Sequence, residues 1–273
     1  MDIWLLIQAA IMGLVEGITE FLPISSTGHL ILTAQLLDFW TLEKRELFAV
    51  AVQIGAIVAV IYEYWGKLWG ALTGALKGQP EGQRLSMNLI VASIPIVIIG
   101  LSFGDQIKAY LFNAITVAIA LIVGGIVILW AEKRPHRIAA QEVEQISFKQ
   151  AMLIGLIQCL ALIPGTSRSG STIIGGLLMG VSRKAAAEFS FFLGIPVLMG
   201  AGLLDLYKSR HELHSNDMLV LGVGMLVAFI SALMVIRALI RYVSKHDFSV
   251  FAYYRIIFGV LILLTAWTGW VQW

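Results

Sequence analysis

Between Lys108 and Glu132 the chain runs for 23 residues, 109–131, without a single charged side chain. A helix that crosses a bilayer needs about 20 such residues. One run of this kind could lie in the core of a large soluble protein, but here it recurs. Residues 85–104, 218–236 and 256–273 are equally free of charge, and 47–62 and 189–204 are slightly shorter, the latter with Pro196 inside it. These six stretches are the predicted spans. Only 13% of the residues are charged and 59% are hydrophobic, with a mean hydropathy of +0.86. A soluble domain carries about 25% charged residues, so soluble and disordered classes are excluded. Cys159 stands alone, so no intrachain disulfide can form. Met1-Asp2-Ile3-Trp4 is acidic and has no basic n-region, so the first apolar stretch is expected to belong to the mature protein rather than to a cleaved signal.

Two further apolar regions are broken. Residues 3–37 read as a helix, a break at Phe21-Leu22-Pro23-Ile24-Ser25-Ser26, and a short helix. Residues 150–182 repeat the plan with a break at Ile163-Pro164-Gly165-Thr166-Ser167. Proline followed by Ser or Thr stops one helix and caps the next. At about 1.5 Å per residue the shorter pieces fall short of a ~30 Å hydrocarbon core. Each region is therefore expected to be a re-entrant hairpin, buried in protein or facing a wet cavity.

A shift of 142 residues superimposes the two regions. Gly13-Leu14-Val15-Glu16 falls on Gly155-Leu156-Ile157-Gln158, and Ser25-Ser26-Thr27-Gly28 on Ser167-Arg168-Ser169-Gly170. Each half is a hairpin followed by three spans, an odd number, so the halves must be inverted relative to each other. The expected architecture is an all-α polytopic membrane protein: six transmembrane helices, two re-entrant hairpins and two inverted repeats, 1–131 and 150–273, in one integrated domain. The hairpin tips should enter from opposite sides and meet near the midplane.

On this topology Lys44, Arg45, Lys108, Lys208 and Arg210 lie on one side. Thirteen basic residues lie on the other, namely Lys67, Lys77, Arg84, Lys133, Arg134, Arg137, Lys149, Arg183, Lys184, Arg237, Arg241, Lys245 and Arg255. The positive-inside rule makes the richer side cytoplasmic, so both termini and the mouth of the first hairpin face outward. Trp267, Trp270 and Trp273 read as an interfacial aromatic belt. His136, His211, His214 and His246 fall in loops or at membrane edges and are given no role.

The hairpins hold four ionisable groups: Glu16, Glu20, His29 and Arg168. A charge at the centre of a lone helix costs about 2.5–3.5 kcal/mol on insertion scales, so these groups imply a site. Glu16 and Glu20 share one helix face and repel unless one is protonated or a cation lies between them. The bland alternative is that both merely pair with Arg168. Helix N-termini after Pro23 and Pro164 offer free N–H groups to an anion, phosphate above all. Hydroxyls of Ser26, Thr27, Ser167, Ser169 and Thr172 and the guanidinium of Arg168 complete the cradle. Glu16, Glu20 and His29 occupy one half only, where the other half has Gln158, Leu162 and Ser171. An enzyme needs that asymmetry more than a transporter does.

At these residues the sequence resembles the undecaprenyl-diphosphate phosphatase family, the bacitracin-resistance type of bacterial inner membranes. The motifs are E-x-x-x-E at Glu16…Glu20, Pro23-Ile24-Ser25-Ser26-Thr27-Gly28-His29, and Pro164-Gly165-Thr166-Ser167-Arg168-Ser169-Gly170-Ser171-Thr172. The resemblance covers the whole chain. It implies removal of the terminal phosphate of undecaprenyl diphosphate, which recycles the lipid carrier of peptidoglycan synthesis. It also implies an outward-facing site, a divalent cation (Mg²⁺ or Ca²⁺) and bacitracin resistance on overproduction.

The expected machinery follows. Arg168 and the two helix N-termini hold the diphosphate, with Ser25, Thr27, Gly28, Ser167, Ser169 and Thr172 around it. Ser26 is the candidate nucleophile, with His29 three residues on as its proton acceptor; alternatively His29 activates water directly. Glu16 and Glu20 either bind the cation or carry a proton to the leaving lipid phosphate. The expected partners are a polyprenyl diphosphate and the bilayer, with no nucleic acid; oligomeric state is left open, a homodimer included. A transporter or flippase for a lipid phosphate, and an anion channel lined by helix N-termini, are the rival classes.

Overall fold

The computed structural model describes residues 3–208 and 217–269. All its regular elements are helical apart from one isolated bridge between Ala140 and Val181. In chain order they are α1 (Ile3–Thr19), α2 (Ser26–Leu36), α3 (Leu42–Glu63), α4 (Trp65–Leu76), α5 (Pro80–Leu111), α6 (Ala114–Glu132), α7 (Phe148–Gln158), α8 (Arg168–Leu178), α9 (Arg183–Lys208), α10 (Met218–Val243) and α11 (Ser249–Thr268). Two 3₁₀ turns complete them: Val143–Gln145, and Cys159–Leu162, which extends α7. His211, His214, Arg210, Trp270 and Trp273 lie outside the described residues, as does the side chain of Lys208.

Among the described residues six helices are long and apolar enough to cross a membrane: α3, α5, α6, α9, α10 and α11. They coincide with the six predicted spans, with instructive differences at the ends. The run at 109–131 is not one helix. Residues 109–111 finish α5, the chain breaks at Phe112, and Asn113 starts α6 by accepting the Thr116 N–H at 3.0 Å. The last span begins at Ser249 rather than after Arg255, because Arg255 is folded into the bundle instead of flanking it. The short helix α4 was not anticipated; it presents the stacked rings of Trp65 and Trp69 on an exposed face.

The outward faces of the long helices are apolar. Ile90, Ile94, Ile98 and Leu101 on α5, Ile119, Val123 and Ile126 on α6, and Leu226, Ile230 and Met234 on α10 are all exposed at helical spacing. Exposed apolar surface on this scale needs a lipid solvent.

Small residues bring the inner faces together. α1 lies along α10 and α7 along α5. A Cβ on Gly13 would collide with the carbonyl of Gly224, and one on Gly155 with the backbone of Ala92, so these backbones touch directly. α6 and α11 pair face to face, and α3 packs on both α9 and α10. The contacts thus cross between the two halves of the chain: each half's first short helix docks on a long helix of the other. This crossing sets the turns after α1 and after α7 side by side in the interior.

Candidate active site

The two turns share an unusual backbone. Ser25, just before α2, has φ 72°, and Ser167, just before α8, has φ 73°. Serine in the left-handed region costs roughly 1–3 kcal/mol and persists where surrounding structure imposes it, commonly at functional sites. The two strained serines are related by the same 142-residue shift that aligns the sequence. Each kink is followed by a helix whose first residues line the gap between the turns. Ser167 caps its own helix by accepting the Gly170 N–H at 3.1 Å. Ser25 makes no such bond, so α2 enters the gap without a side-chain cap.

Around that gap is a polar cavity of about 170 Å³, lined among others by Glu20, Ser25, Ser26, Thr27, Ser167 and Arg168. Its central feature is a chain of three side chains. Arg168 donates through Nε (3.3 Å) and Nη2 (3.1 Å), both to Oε1 of Glu20. Ser26 donates its hydroxyl to the other oxygen, Oε2, at 2.6 Å. The Glu20 and Arg168 side chains are only 5% and 8% exposed, so their charges act with little solvent between them. The third guanidinium nitrogen of Arg168, Nη1, is tied to the Ser190 carbonyl on α9 at 2.8 Å. Thr172 donates to Ser190 Oγ at 2.7 Å, one turn behind Arg168, and steadies the same corner.

Glu16 lies one helical turn before Glu20, is 1% exposed, and feels the charges of both Glu20 and Arg168. Its Oε2 is fully buried and finds no hydrogen-bond partner among the described residues. A buried carboxylate oxygen without a partner is costly, so this position calls for a proton or a cation. The 142-residue counterpart of Glu16, Gln158, also has an orphaned buried oxygen, Oε1, but carries no charge.

The geometry rearranges several expected roles. His29 does not face Ser26. Its Nδ1 donates to the Ser25 carbonyl at 2.7 Å, which fixes the tautomer, and its Nε2 accepts from the Tyr254 hydroxyl at 2.7 Å. The ring also stacks on Phe258, with centroids 4.2 Å apart. Nδ1 is thus tied to the Ser25 kink and Nε2 to Tyr254, and the carboxylate bonded to Ser26 is that of Glu20. Ser169 and Thr172 do not line the cavity, because their hydroxyls are committed to the Leu22 carbonyl (2.8 Å) and to Ser190. Gly28 packs against Val117 and Phe258 rather than the cavity.

The sequence reading missed Ser190, Tyr254, Arg255 and Gln53, which reaches the cavity from α3. Ser190 and Gln53 are lone polar residues in apolar spans, and that interruption was the available signal.

The family model described as bacitracin resistance protein BacA matches residues 9–261, a range that contains every group of the cavity. The chain belongs to this family. It is similar to undecaprenyl-diphosphatase 1 of Acinetobacter baylyi, with 65% identity and all of both chains covered. It is also similar to the undecaprenyl-diphosphatase of Psychrobacter cryohalolentis, at 63% identity over 98% of this chain and 97% of that one. Undecaprenyl-diphosphatase 2 of Rhodospirillum rubrum is 56% identical over all of this chain and 99% of its own. Within the matched range, the Glu20–Ser26–Arg168 cluster carries a prediction for Arg168. Replacing Arg168 by alanine should lower turnover by about 10²–10³, the effect of removing one donor aimed at developing charge. Single-turnover phosphate release measures this, and near-parental rates would take Arg168 out of the reaction.

Proposed function

We propose that the protein is an integral membrane undecaprenyl-diphosphatase, a hydrolase that cleaves undecaprenyl diphosphate to undecaprenyl phosphate and inorganic phosphate. The activity regenerates the lipid carrier of peptidoglycan synthesis and confers bacitracin resistance. The observation that carries the mechanism is the hydrogen bond from Ser26 to Glu20, with Arg168 on the other oxygen of the same carboxylate.

Arg168 and the uncapped N-terminus of α2 bind the diphosphate and neutralise charge in the transition state. Glu20 takes the proton from Ser26 as its Oγ attacks the terminal phosphorus. The bond from that phosphorus to the bridging oxygen breaks, and the lipid monophosphate leaves. Glu20 passes that proton to the departing lipid phosphate, then takes one from the water that attacks the Ser26 phosphoester and returns it to Ser26 Oγ as inorganic phosphate is released. The turn carrying Ser167 and Arg168 is rigid because Ser169 is tied to Leu22, so the phosphate oxygens meet donors already in place.

Glu16 and Glu20 are the residues that would hold a divalent cation. Its donor set fits: hard oxygens suited to Mg²⁺ or Ca²⁺, one of them the buried orphan of Glu16. Among the described residues no cluster of three acidic, histidine or cysteine groups exists, so substrate oxygens and water must complete the shell. When bound, the cation supplies charge neutralisation on the diphosphate.

The lipid tail leaves the site through protein. An apolar cavity of about 560 Å³ between α6, α7 and α8 meets the polar cavity at Ile163. Thr166, on the turn just before Arg168, also lines it, so the head and the first tail units fit the two cavities together.

Two inverted halves, meeting at these turns, face the site outward across a bacterial inner membrane. A phosphatase reporter fused after Trp273 should be active only outside the cytoplasm; cytoplasmic activity reverses the orientation.

The decisive assay is phosphate release from undecaprenyl diphosphate in detergent micelles, where no gradient exists to drive transport. Release is expected, and EDTA should suppress it by at least an order of magnitude, with recovery on adding Mg²⁺ or Ca²⁺. Binding without release would favour a carrier instead.

A further inference from the structure

Arg255 belongs to α11 and is 1% exposed. It stands between Tyr254 and Ile256, where the sequence reading made it a cytoplasmic flank. Among the described residues no carboxylate pairs with it; all its partners are backbone carbonyls. Nε reaches Leu121 (3.3 Å) and Nη2 reaches Ala120 (3.0 Å), both on α6. Nη1 donates to Pro23 at 3.1 Å and Nη2 to Gly165 at 3.1 Å.

Pro23 and Gly165 are not arbitrary. They are 142 residues apart, and each precedes one of the two left-handed serines, Ser25 and Ser167, by two positions. One guanidinium therefore bridges equivalent carbonyls of the two turns. From there the chain reaches Ser26 in three residues and Arg168 in three residues.

The packing is built to admit this side chain. A Cβ on Gly124 would occupy the space of Nη2, and one on Gly170 would stand 3.0 Å from Nη1. A buried cation without a counter-ion is expensive, and intramembrane charges are kept where they act. Its rigid fork of donors is what several divergent carbonyls require; an ammonium is a point donor and spans fewer of them. Tyr254, the preceding residue, holds His29 and through it the Ser25 carbonyl. Two successive residues of α11 thus reach both the kink itself and the clamp between kinks.

We propose that Arg255 is a positioning residue: it locks the two turns in register, so that Ser26 on one and Arg168 on the other meet the same diphosphate. The proposal rests on the reading of that site as catalytic. Arg255 touches neither Ser26 nor Glu20 and acts only through the turns.

The test uses the full chain in micelles with undecaprenyl diphosphate as substrate. Arg255→Lys keeps the charge and loses the fork. Gly124→Ala keeps Arg255 and displaces its guanidinium, and so serves as the second variant should the first not fold. Each is expected to lower kcat by about 10²-fold, the effect of a ~1 Å misplacement, with KM changed by less than about threefold. In an Arg168→Ala background the same Arg255→Lys change should cost less than about fivefold, because residues that act through one another are not additive. A general loss of structure would instead multiply in full. Parental kcat in Arg255→Lys, or an undiminished factor in the Arg168→Ala background, overturns the proposal alone. Parental turnover by both Ser26→Ala and Arg168→Ala overturns the site reading and the proposal with it.

Discussion

Alanine at position 26 should reduce phosphate release by about 10⁴-fold or more, the scale seen when a catalytic nucleophile is removed. The reason is local. Ser26 is the first residue of α2, so its hydroxyl stands at the mouth of the helix N-terminus, and its proton already points at Glu20 Oε2 at 2.6 Å. No other hydroxyl lining the cavity is bonded to a carboxylate among the described residues: Ser167 caps α8 instead. The variant should fold, since Ser26 makes no other side-chain bond and loses only one oxygen. A second readout separates attack by serine from attack by water. Substrate labelled in the terminal phosphate and quenched within the first turnover should leave label on the parent protein and none on Ser26→Ala. A variant that keeps a tenth of parental turnover would show that water is the nucleophile and that Ser26 only orients Glu20.

Much of this architecture is legible in the chain because lipid leaves few options. A backbone in hydrocarbon must satisfy itself within a helix, so uncharged runs mark spans, and Pro-Ser pairs mark the places where helices stop. The breaks after α1 and after α7 stand where Pro23 and Pro164 put them. Glu16, Glu20, Ser26 and Arg168 were legible for a related reason: polar groups at that depth need a cause. What the sequence does not carry is direction. Ser26 and His29 are one turn apart on α2, and spacing alone pairs them; the 72° φ of Ser25 and the ring of Phe258 turn the imidazole toward Tyr254 instead. Arg255 was illegible for the opposite reason. A charge beside an apolar run reads as a flank, and nothing within α11 says that Gly124 on α6 has cleared a path for it. Both differences turn on contacts between residues more than 100 positions apart, where local pattern has no say.

Glu20→Gln tests the other end of the proton's path. Glutamine keeps the shape of glutamate and loses the negative charge, so it can neither accept the Ser26 proton nor balance Arg168. Turnover should fall by about 10³–10⁴: roughly 10²–10⁴ for the lost base, compounded by the misplacement of Arg168. Stability should move too, since removing one partner of a buried pair leaves the other uncompensated, at about 3–5 kcal/mol. A double variant resolves the two effects. Glu20→Gln with Arg168→Met removes both charges together and should recover most of the lost thermal stability in detergent, yet recover none of the activity. If activity returned with stability, Glu20 would be a structural counter-ion and the base would lie elsewhere, with the buried carboxylate of Glu16, one helical turn away, the next to test. If the single variant turned over within tenfold of the parent, proton transfer to Glu20 would no longer be part of the reaction. The same substitution at position 16 provides the internal control. Glu16 makes no bond to Ser26, so Glu16→Gln should leave first-turnover labelling of Ser26 intact while raising the divalent cation concentration needed for half-maximal rate.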